Sequence, residues 1–128
     1  MTITTKNQKL VCLESGNRCA MKNCRIILII DKTLNDDKVI IGELAHIQGD
    51  KPHSARYNSK MEEKERNSHR NLILLCSNCH KMIDDQPNTY TVDILINIKK
   101  EHALWVIKSS EKEIVNVTFK ELKLVTDF

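Results

Sequence analysis

Aromatic residues and long apolar stretches are both scarce in this sequence. Phe, Trp and Tyr together make up 4% of its 128 residues, so a hydrophobic core has to be built from Ile, Leu and Val. The most apolar stretch, residues 26–30, is only five residues long, whereas a membrane-spanning helix requires about 20. The sequence therefore predicts a protein that does not span a membrane.

The N-terminal residues also lack the apolar segment of a secretory signal, and the sequence has no P-loop or dinucleotide-binding fingerprint. We therefore expect a cytoplasmic protein, in a compartment that keeps thiols reduced. The length predicts one domain with a modest core, which a structural metal would help to stabilise. The net charge of +3 is compatible with a phosphate-bearing partner but too small to establish one.

Four of the five cysteines form two closely spaced pairs that lie far apart in the sequence: Cys19 with Cys24, and Cys76 with Cys79. Two such pairs, each on a tight turn, supply the four thiolates of a tetrahedral zinc site. Two disulfides, or a single redox pair at Cys76 and Cys79, are the alternatives. The fifth cysteine, Cys12, lies among apolar residues of a predicted helix and is expected to be a small core residue.

Local sequence patterns predict short helices and short strands in mixed order. Hydrophobic periodicity, capping residues and turn residues give the following segments. They are a helix at 5–15, a hairpin of strands 26–31 and 38–46, a long loop at 48–70 with one helical turn near 60–64, a strand at 71–75, a helix from Ser77 through Asp84, and a helix from Thr91 to Ser110.

The C-terminal residues are expected to lie outside the main domain. Thr118 and Glu121 have the spacing of a capping box ahead of a further apolar segment. We therefore divide the chain into a domain at 1–110 and a helical extension, or linker to a partner domain, at 111–128.

Two of the five histidines are placed where they can do chemistry. His80 and Asp84 are four residues apart on the predicted helix, so both lie on one face, where they can hold a divalent cation. His46 ends a predicted strand and could take a proton from an attacking water. Alone, each feature is more often structural, but His46 lies between the cysteine pairs and His80 directly follows the second. No such convergence is seen for His53, His69 and His102.

The order of these residues resembles that of the HNH endonucleases. The resemblance covers about residues 16–102, and its most specific parts are 42–47 (GELAHI) and 70–84 (RNLILLCSNCHKMID). It implies an α+β fold with a ββα-metal core, a zinc knuckle and flanking helices. It also implies a bound Mg²⁺ or Mn²⁺ ion in addition to the structural Zn²⁺.

The resemblance further implies a role for each matching residue. His46 matches the general base, Asn71 the residue that holds the intervening loop, and His80 the metal ligand on the helix. The four paired cysteines match the structural zinc ligands.

One position departs from the pattern of the family. Many HNH enzymes carry Asp or His immediately before the base as a metal ligand, and here that residue is Ala45. We expect Asp84 to supply the missing ligand, because it shares a helix face with His80. Glu43 is a weaker candidate, since it lies three residues before His46 and points to the opposite face of a regular strand.

Basic residues surround the predicted site and suggest phosphate contacts that carry no sequence information. We expect nucleic-acid contacts from Lys51, Arg56, Arg70 and Lys81. Glutamates at positions 62, 63 and 65 dilute this charge, so an ordinary solvated surface is the alternative. Few aromatic residues are available for base stacking, which favours double-stranded DNA over single strands.

Together these features predict a metal-dependent endonuclease that hydrolyses phosphodiester bonds of double-stranded DNA. The GELAHI-type motif is similar to those of nuclease domains in bacterial anti-phage or restriction systems, so a sensor domain or partner protein is expected. The resemblance implies cleavage of one strand per site, and a double-strand cut then needs a homodimer or two encounters. The alternatives are a non-catalytic zinc-stabilised module that binds DNA or protein, and a ribonuclease.

Overall fold

The computed structural model describes the backbone of residues 2–126 and the side chains of residues 2–111. Helices and strands are mixed along the chain, in agreement with the expected α+β class. The elements are α1 (Thr5–Glu14), β1 (Ile29–Ile30), β2 (Val39–Ile40), β3 (Gly42–His46), α2 (Glu63–Arg66), a single 3₁₀ turn (His69–Asn71), β4 (Leu72–Cys76), α3 (Ser77–Asp85) and α4 (Val92–Thr126).

A two-stranded antiparallel sheet, β3 with β4, forms the centre of the fold. Its register pairs Gly42 with Cys76 and His46 with Leu72. Every residue of β4 is buried, as expected for a short, continuous apolar segment that is covered on both faces. Since α3 begins directly after Cys76, the chain closes a ββα unit with both cysteines of the second pair at the strand–helix junction.

The predicted hairpin is only partly correct, because the segment 38–46 divides between two sheets. Its first half, β2, pairs with β1, and its second half, β3, pairs with β4 instead. At the division, a Cβ atom added to Gly42 would lie 3.1 Å from the side chain of Leu28. Glycine therefore lets the chain pass tightly over Leu28. Beyond it, pairing with β4 buries Ala45 in the core, and this burial is more favourable than a place in the exposed hairpin.

Helix α1 begins and ends as its sequence predicts. The Thr4 hydroxyl accepts a hydrogen bond from the Asn7 N–H (3.2 Å) and caps the first turn. The helix ends before Gly16, whose φ of 60° lies in the left-handed region that glycine adopts without strain. Val11 is buried, and Cys12 packs against the core from a partly buried position, as expected.

Helix α3 begins at the predicted residue, Ser77, and is capped by the residue before it. The thiol sulfur of Cys76 accepts from the Cys79 N–H at 3.4 Å, so a cysteine of the knuckle also caps the helix. The predicted turn near 60–64 is displaced to Glu63–Arg66, within an otherwise irregular loop.

Helix α4 begins after Thr91, whose hydroxyl accepts from the Ile94 N–H (3.4 Å). Leu95 is fully buried, and so is His102, although its sequence position suggested no special role. The helix continues past Ser110 to Thr126, while the side chains of Thr118 and Glu121 lie outside the described residues. Among the described helices, none combines the length and the apolar character that crossing a bilayer requires.

Candidate active site and metal centre

The four paired cysteines come together into one cluster. Their sulfur atoms all lie within 4.8 Å of one another, and Cys24 Sγ is 3.9 Å from Cys76 Sγ. Tetrahedral zinc with Zn–S bonds of about 2.3 Å places its sulfur ligands about 3.8 Å apart. All five cysteines are free thiols, so the two-disulfide alternative does not apply. The cluster therefore has the composition and spacing of a metal site.

The electrostatics of the cluster favour a bound cation. Burial raises the pKa of the Cys19 thiol, and burial together with the neighbouring Cys76 raises the pKa of Cys79 strongly. For Cys76, burial is outweighed by hydrogen bonds from Cys79 and Cys24, and its pKa is lowered. Of these three thiols, only Cys76 has its pKa shifted towards the thiolate form, and a bound metal ion would allow all three to ionise together.

A second group is centred on His80, on the face of α3 that meets β3. Its Nδ1 lies 3.0 Å from Glu43 Oε2, and its Nε2 lies 3.1 Å from Asp84 Oδ2. The prediction that Asp84 lies beside His80 agrees with this geometry. A neutral imidazole has a single N–H and cannot donate to two carboxylates at once. A cation bound between the ring and one of the two carboxylates would satisfy both contacts.

The contact between Glu43 and His80 was not expected, because the sequence places Glu43 on the strand face opposite His46. Glu43 does leave β3 on the face opposite His46, but this is also the face of Ala45, the position of the ligand missing from the family pattern. Because α3 covers that face, Glu43 reaches His80 without a bulge. Adjacent ligands of an octahedral Mg²⁺ ion with bonds of about 2.1 Å are about 3.0 Å apart, so the oxygen and nitrogen donors of this pair fit such an ion.

Arg56 occupies the other side of Asp84. Its NH2 group lies 2.8 Å from Asp84 Oδ1, and the rest of the guanidinium donates to the carbonyls of Ile47 (2.7 Å), Ile83 (2.6 Å) and Tyr90 (3.3 Å). The side chain is only 4% exposed. Arg56 was expected to contact nucleic acid, but its donors are occupied inside the protein, where they join the loop after β3 to α3.

His46 is oriented by a residue that the sequence did not single out. Its Nε2 lies 3.0 Å from Asn67 Oδ1 in the loop that follows α2. With this orientation of the amide, Nε2–H donates and the lone pair remains on Nδ1, which makes no hydrogen bond to the described residues. His46 and His80 share no hydrogen-bonded partner among these residues, but β3 and the Arg56 side chain, which joins the Ile47 carbonyl to Asp84, connect their surroundings.

Asn71 holds the loop between the strands closed, as the resemblance implies. Its Oδ1 accepts from the Gln48 N–H, and its Nδ2 donates to the carbonyls of Gln48 and Arg66, each at 2.9 Å. Its own carbonyl accepts from the Ile47 N–H at 2.8 Å. The buried amide therefore joins the residues that follow His46 to the end of α2.

Replacing Asn71 by alanine should destabilise this loop. The buried partners would lose their hydrogen bonds, and a buried polar group left unpaired costs about 1–3 kcal/mol. We expect the free energy of unfolding in urea to fall by about that amount, with a loss of whatever activity depends on His46. Asn78→Ala, on the exposed face of α3, is the matched control and should change neither; equal stability of both variants would contradict this role.

The remaining predicted nucleic-acid contacts are on the surface. Lys51 and Arg70 are exposed, and neither forms an ion pair with a described residue. Lys81 is exposed as well and pairs with Asp85 at 2.9 Å. Exposed pairs of this kind are weak, so Lys81 can exchange its partner for a phosphate.

Comparison with known proteins agrees with this geometry. A family model described as HNH endonuclease matches residues 23–86, which is half of the chain. The chain belongs to the HNH endonuclease family. The match spans β3, β4 and α3, and within it lie the three residues around which the site is built, Glu43, His46 and His80. No curated protein matches the chain at a significant level.

Membership of the HNH family means that the chain contains a domain of nuclease type, and its four-cysteine cluster is suited to a metal. Two site residues were missed or placed low by sequence reasoning. Glu43 was recognisable from its position two residues before Ala45, on one strand face. Asn67 had no local signal, because only the folded loop brings it to His46.

Proposed function

We propose that this protein is a metal-dependent endonuclease that hydrolyses phosphodiester bonds of double-stranded DNA. The observation that carries the proposal is His80, held between the carboxylates of Glu43 and Asp84 in the ββα unit of an HNH protein. The proposal also includes a structural metal: the four-cysteine cluster binds Zn²⁺ and so joins the turn at Cys19–Cys24 to the start of α3.

The catalytic metal is held by Glu43 and His80, with Mg²⁺ or Mn²⁺ as the ion. Asp84, expected from the sequence as the second ligand, is already paired with the buried Arg56 and is suited to a different role. It accepts the Nε2–H of His80, which fixes the tautomer and leaves the Nδ1 lone pair beside Glu43. Waters and substrate oxygens would complete the coordination of such an ion.

The reaction divides between this site and His46. His46 takes a proton from the attacking water through Nδ1, while Asn67 keeps the ring oriented and Asn71 keeps the loop in place. The divalent ion that Glu43 and His80 would hold would supply positive charge to stabilise the phosphate and the departing oxygen. The products carry a 5′-phosphate, and each site cuts one strand.

The biological setting follows from the resemblance and the accessible charges. Lys51, Arg70 and Lys81 contact the phosphates of the duplex. The protein acts in the cytoplasm, in anti-phage defence or restriction, where residues 111–128 connect the nuclease domain at 1–110 to a sensor domain or partner protein. A homodimer would provide two sites for a double-strand cut.

A plasmid assay tests the activity directly. Supercoiled plasmid and a structured RNA of similar length are incubated with the zinc-loaded protein, with Mg²⁺ or Mn²⁺ added. We expect the plasmid to be nicked or linearised only in the presence of the added ion. Cleavage of the RNA alone would replace DNA with RNA as the substrate. Absence of cleavage with DNA binding retained, also after addition of a candidate activator, would favour the alternative of a non-catalytic zinc module.

Glu43→Gln should impair the reaction more than Asp84→Asn does. Glutamine removes the charge of a metal ligand, whereas asparagine removes a group that orients one, a change that typically costs about 10–100-fold in metal affinity or activity. We expect the Mn²⁺ concentration for half-maximal cleavage to rise in both variants, and further for Glu43→Gln. Glu62→Gln, exposed in the loop, is the matched control, and the reverse order of effects would restore Asp84 as the ligand.

A further inference from the structure

A second group of side chains lies where the zinc-binding turn, residues 19–24, meets α4, and the proposed reaction does not use it. Arg25 stacks on the ring of Trp105, with Cζ 4.6 Å from the ring centroid, and Arg18 lies 6.0 Å from the same centroid. Arg18 also donates from NH1 to the Arg25 carbonyl at 3.0 Å. Two guanidinium groups are thus held together at one indole, on either side of Cys19 and Cys24.

His102 fixes one of these guanidinium groups. Its Nε2 lies 2.9 Å from the Ser15 carbonyl, which can only accept, so the proton is on Nε2 and the lone pair is on Nδ1. Nδ1 then accepts from Arg25 Nε at 3.4 Å. Burial, and after it the charges of Arg25 and Arg18, lower the pKa of His102, so the ring remains neutral and keeps this lone pair at neutral pH.

The two arginines have no compensating negative charge within the part of the chain whose side chains are described. No described carboxylate lies within 4.0 Å of either guanidinium, although both side chains are half-buried. Each arginine uses one donor group in the hydrogen bonds above, and each retains further N–H donors. Two adjacent cations that are fixed in place with no described carboxylate beside them are arranged to receive an anion.

The space beside Arg18 is open and polar, and it is reached from Arg25 across the ring of Trp105. A cleft of about 440 Å³ is lined by Gly16, Arg18, Trp105, Val106, Ser109 and Ser110. The serine hydroxyls add donors that suit phosphate oxygens. Trp105 already stacks on Arg25 and on His102, with ring centroids 5.6 Å apart in the latter pair, so it orients the cations and does not serve as a platform for bases.

We propose that Arg18 and Arg25 form a phosphate-binding site, which takes a backbone phosphate of duplex DNA away from the scissile bond. The inference rests on the proposed function for the identity of the substrate. The site reads no sequence, because it offers only guanidinium and hydroxyl donors to a phosphodiester. It anchors the duplex to the zinc-binding turn, which the four cysteines hold in a fixed position relative to β4 and α3.

Duplex binding at several salt concentrations tests the site. The zinc-loaded full chain carries His46→Ala to prevent cutting, and binding of a labelled duplex is followed by fluorescence anisotropy without Mg²⁺ or Mn²⁺. Removing one cation that binds a phosphate lowers the slope of log affinity against log salt by about 1. We expect Arg18→Gln with Arg25→Gln to weaken binding of all sequences equally and to lower the slope by about 1, because the two arginines bind one phosphate together. The matched control, Lys32→Gln with Lys38→Gln in the hairpin turn, removes the same charge and should leave the slope unchanged.

An unchanged slope and affinity in the double arginine variant would overturn the proposal. If that variant loses its zinc or its thermal transition, the single variants decide instead, each with weaker duplex binding and a decrease in the slope of no more than about 1. Titration with inorganic phosphate separates the ligand sources, since phosphate binding that depends on the arginines with unchanged duplex binding would assign the site to free phosphate. If the parent protein cuts no nucleic acid but the slope decreases as expected, the proposed activity fails and the phosphate site stands.

Discussion

His46→Ala should remove nearly all plasmid cleavage while leaving the metal content and the fold unchanged. General-base catalysis by a positioned side chain typically contributes about 10²–10⁴-fold, and we expect a loss in this range. The side chain is partly exposed at the end of β3, and its described hydrogen bond is to Asn67, so its removal leaves the core intact. Initial nicking rates at saturating Mn²⁺, with zinc content measured in parallel, provide the test.

Two further variants distinguish catalysis from general damage. His53→Asn removes an imidazole from an exposed loop position whose φ of 73° asparagine tolerates, and it should retain full activity. Asn67→Ala keeps His46 but removes its partner, so an intermediate loss is expected. Full cleavage by His46→Ala with its zinc retained would exclude this residue as the base.

The parts of the site that could be predicted from the sequence are those fixed by local geometry. His80 and Asp84 are four residues apart on one helix, which places them on the same face in any fold that forms the helix. The cysteine pairs are similar, since their spacing limits the chemistry that they can perform in a reducing compartment. For Asn71, the family resemblance supplied a role that the buried hydrogen bonds of its amide support.

The parts that could not be predicted depend on which surfaces meet in the folded chain. Arg56 has the composition of a surface cation, but its backbone conformation, with φ of 59°, directs it beneath the loop to Asp84. The sequence argument asked whether Glu43 lies on the same face of β3 as His46. What matters is that Glu43 lies on the face that α3 covers, where His80 is located. Segment 38–46 reads as one strand because periodicity does not reveal where a strand changes partners.

The arginine cluster at Trp105 was also invisible at the level of the sequence. The hydrogen-bonded partners Arg25 and His102 are 77 positions apart in the sequence. Neither of them belongs to a recognisable motif, and nor does Arg18. Their convergence depends on the turn at residues 19–24 packing against α4. The four-cysteine cluster holds the same turn, so the proposed active site and the proposed phosphate site both depend on the stability of that cluster.

Cys76→Ser should therefore abolish both zinc binding and cooperative folding. Cys76 is buried at the end of β4, its sulfur lies 3.9 Å from that of Cys24, and it caps α3. Serine is itself a good N-cap residue, so the substitution preserves the cap and removes only the metal ligand. Structural zinc sites contribute about 10–16 kcal/mol in zinc-finger peptides, comparable to the whole stability of a small domain at about 5–15 kcal/mol.

Zinc-to-protein ratio and the thermal transition in circular dichroism measure the two effects together. Cys12→Ser is the matched control, because Cys12 is a free thiol outside the cluster that packs only partly against the core. It should retain one zinc per chain and lose little stability. A Cys76→Ser protein that kept its zinc and its transition would show that the metal does not hold the turn to the ββα unit. A variant without zinc but with the transition unchanged would mean that packing around Leu72–Cys76 suffices, and that the cysteine cluster has a role other than folding.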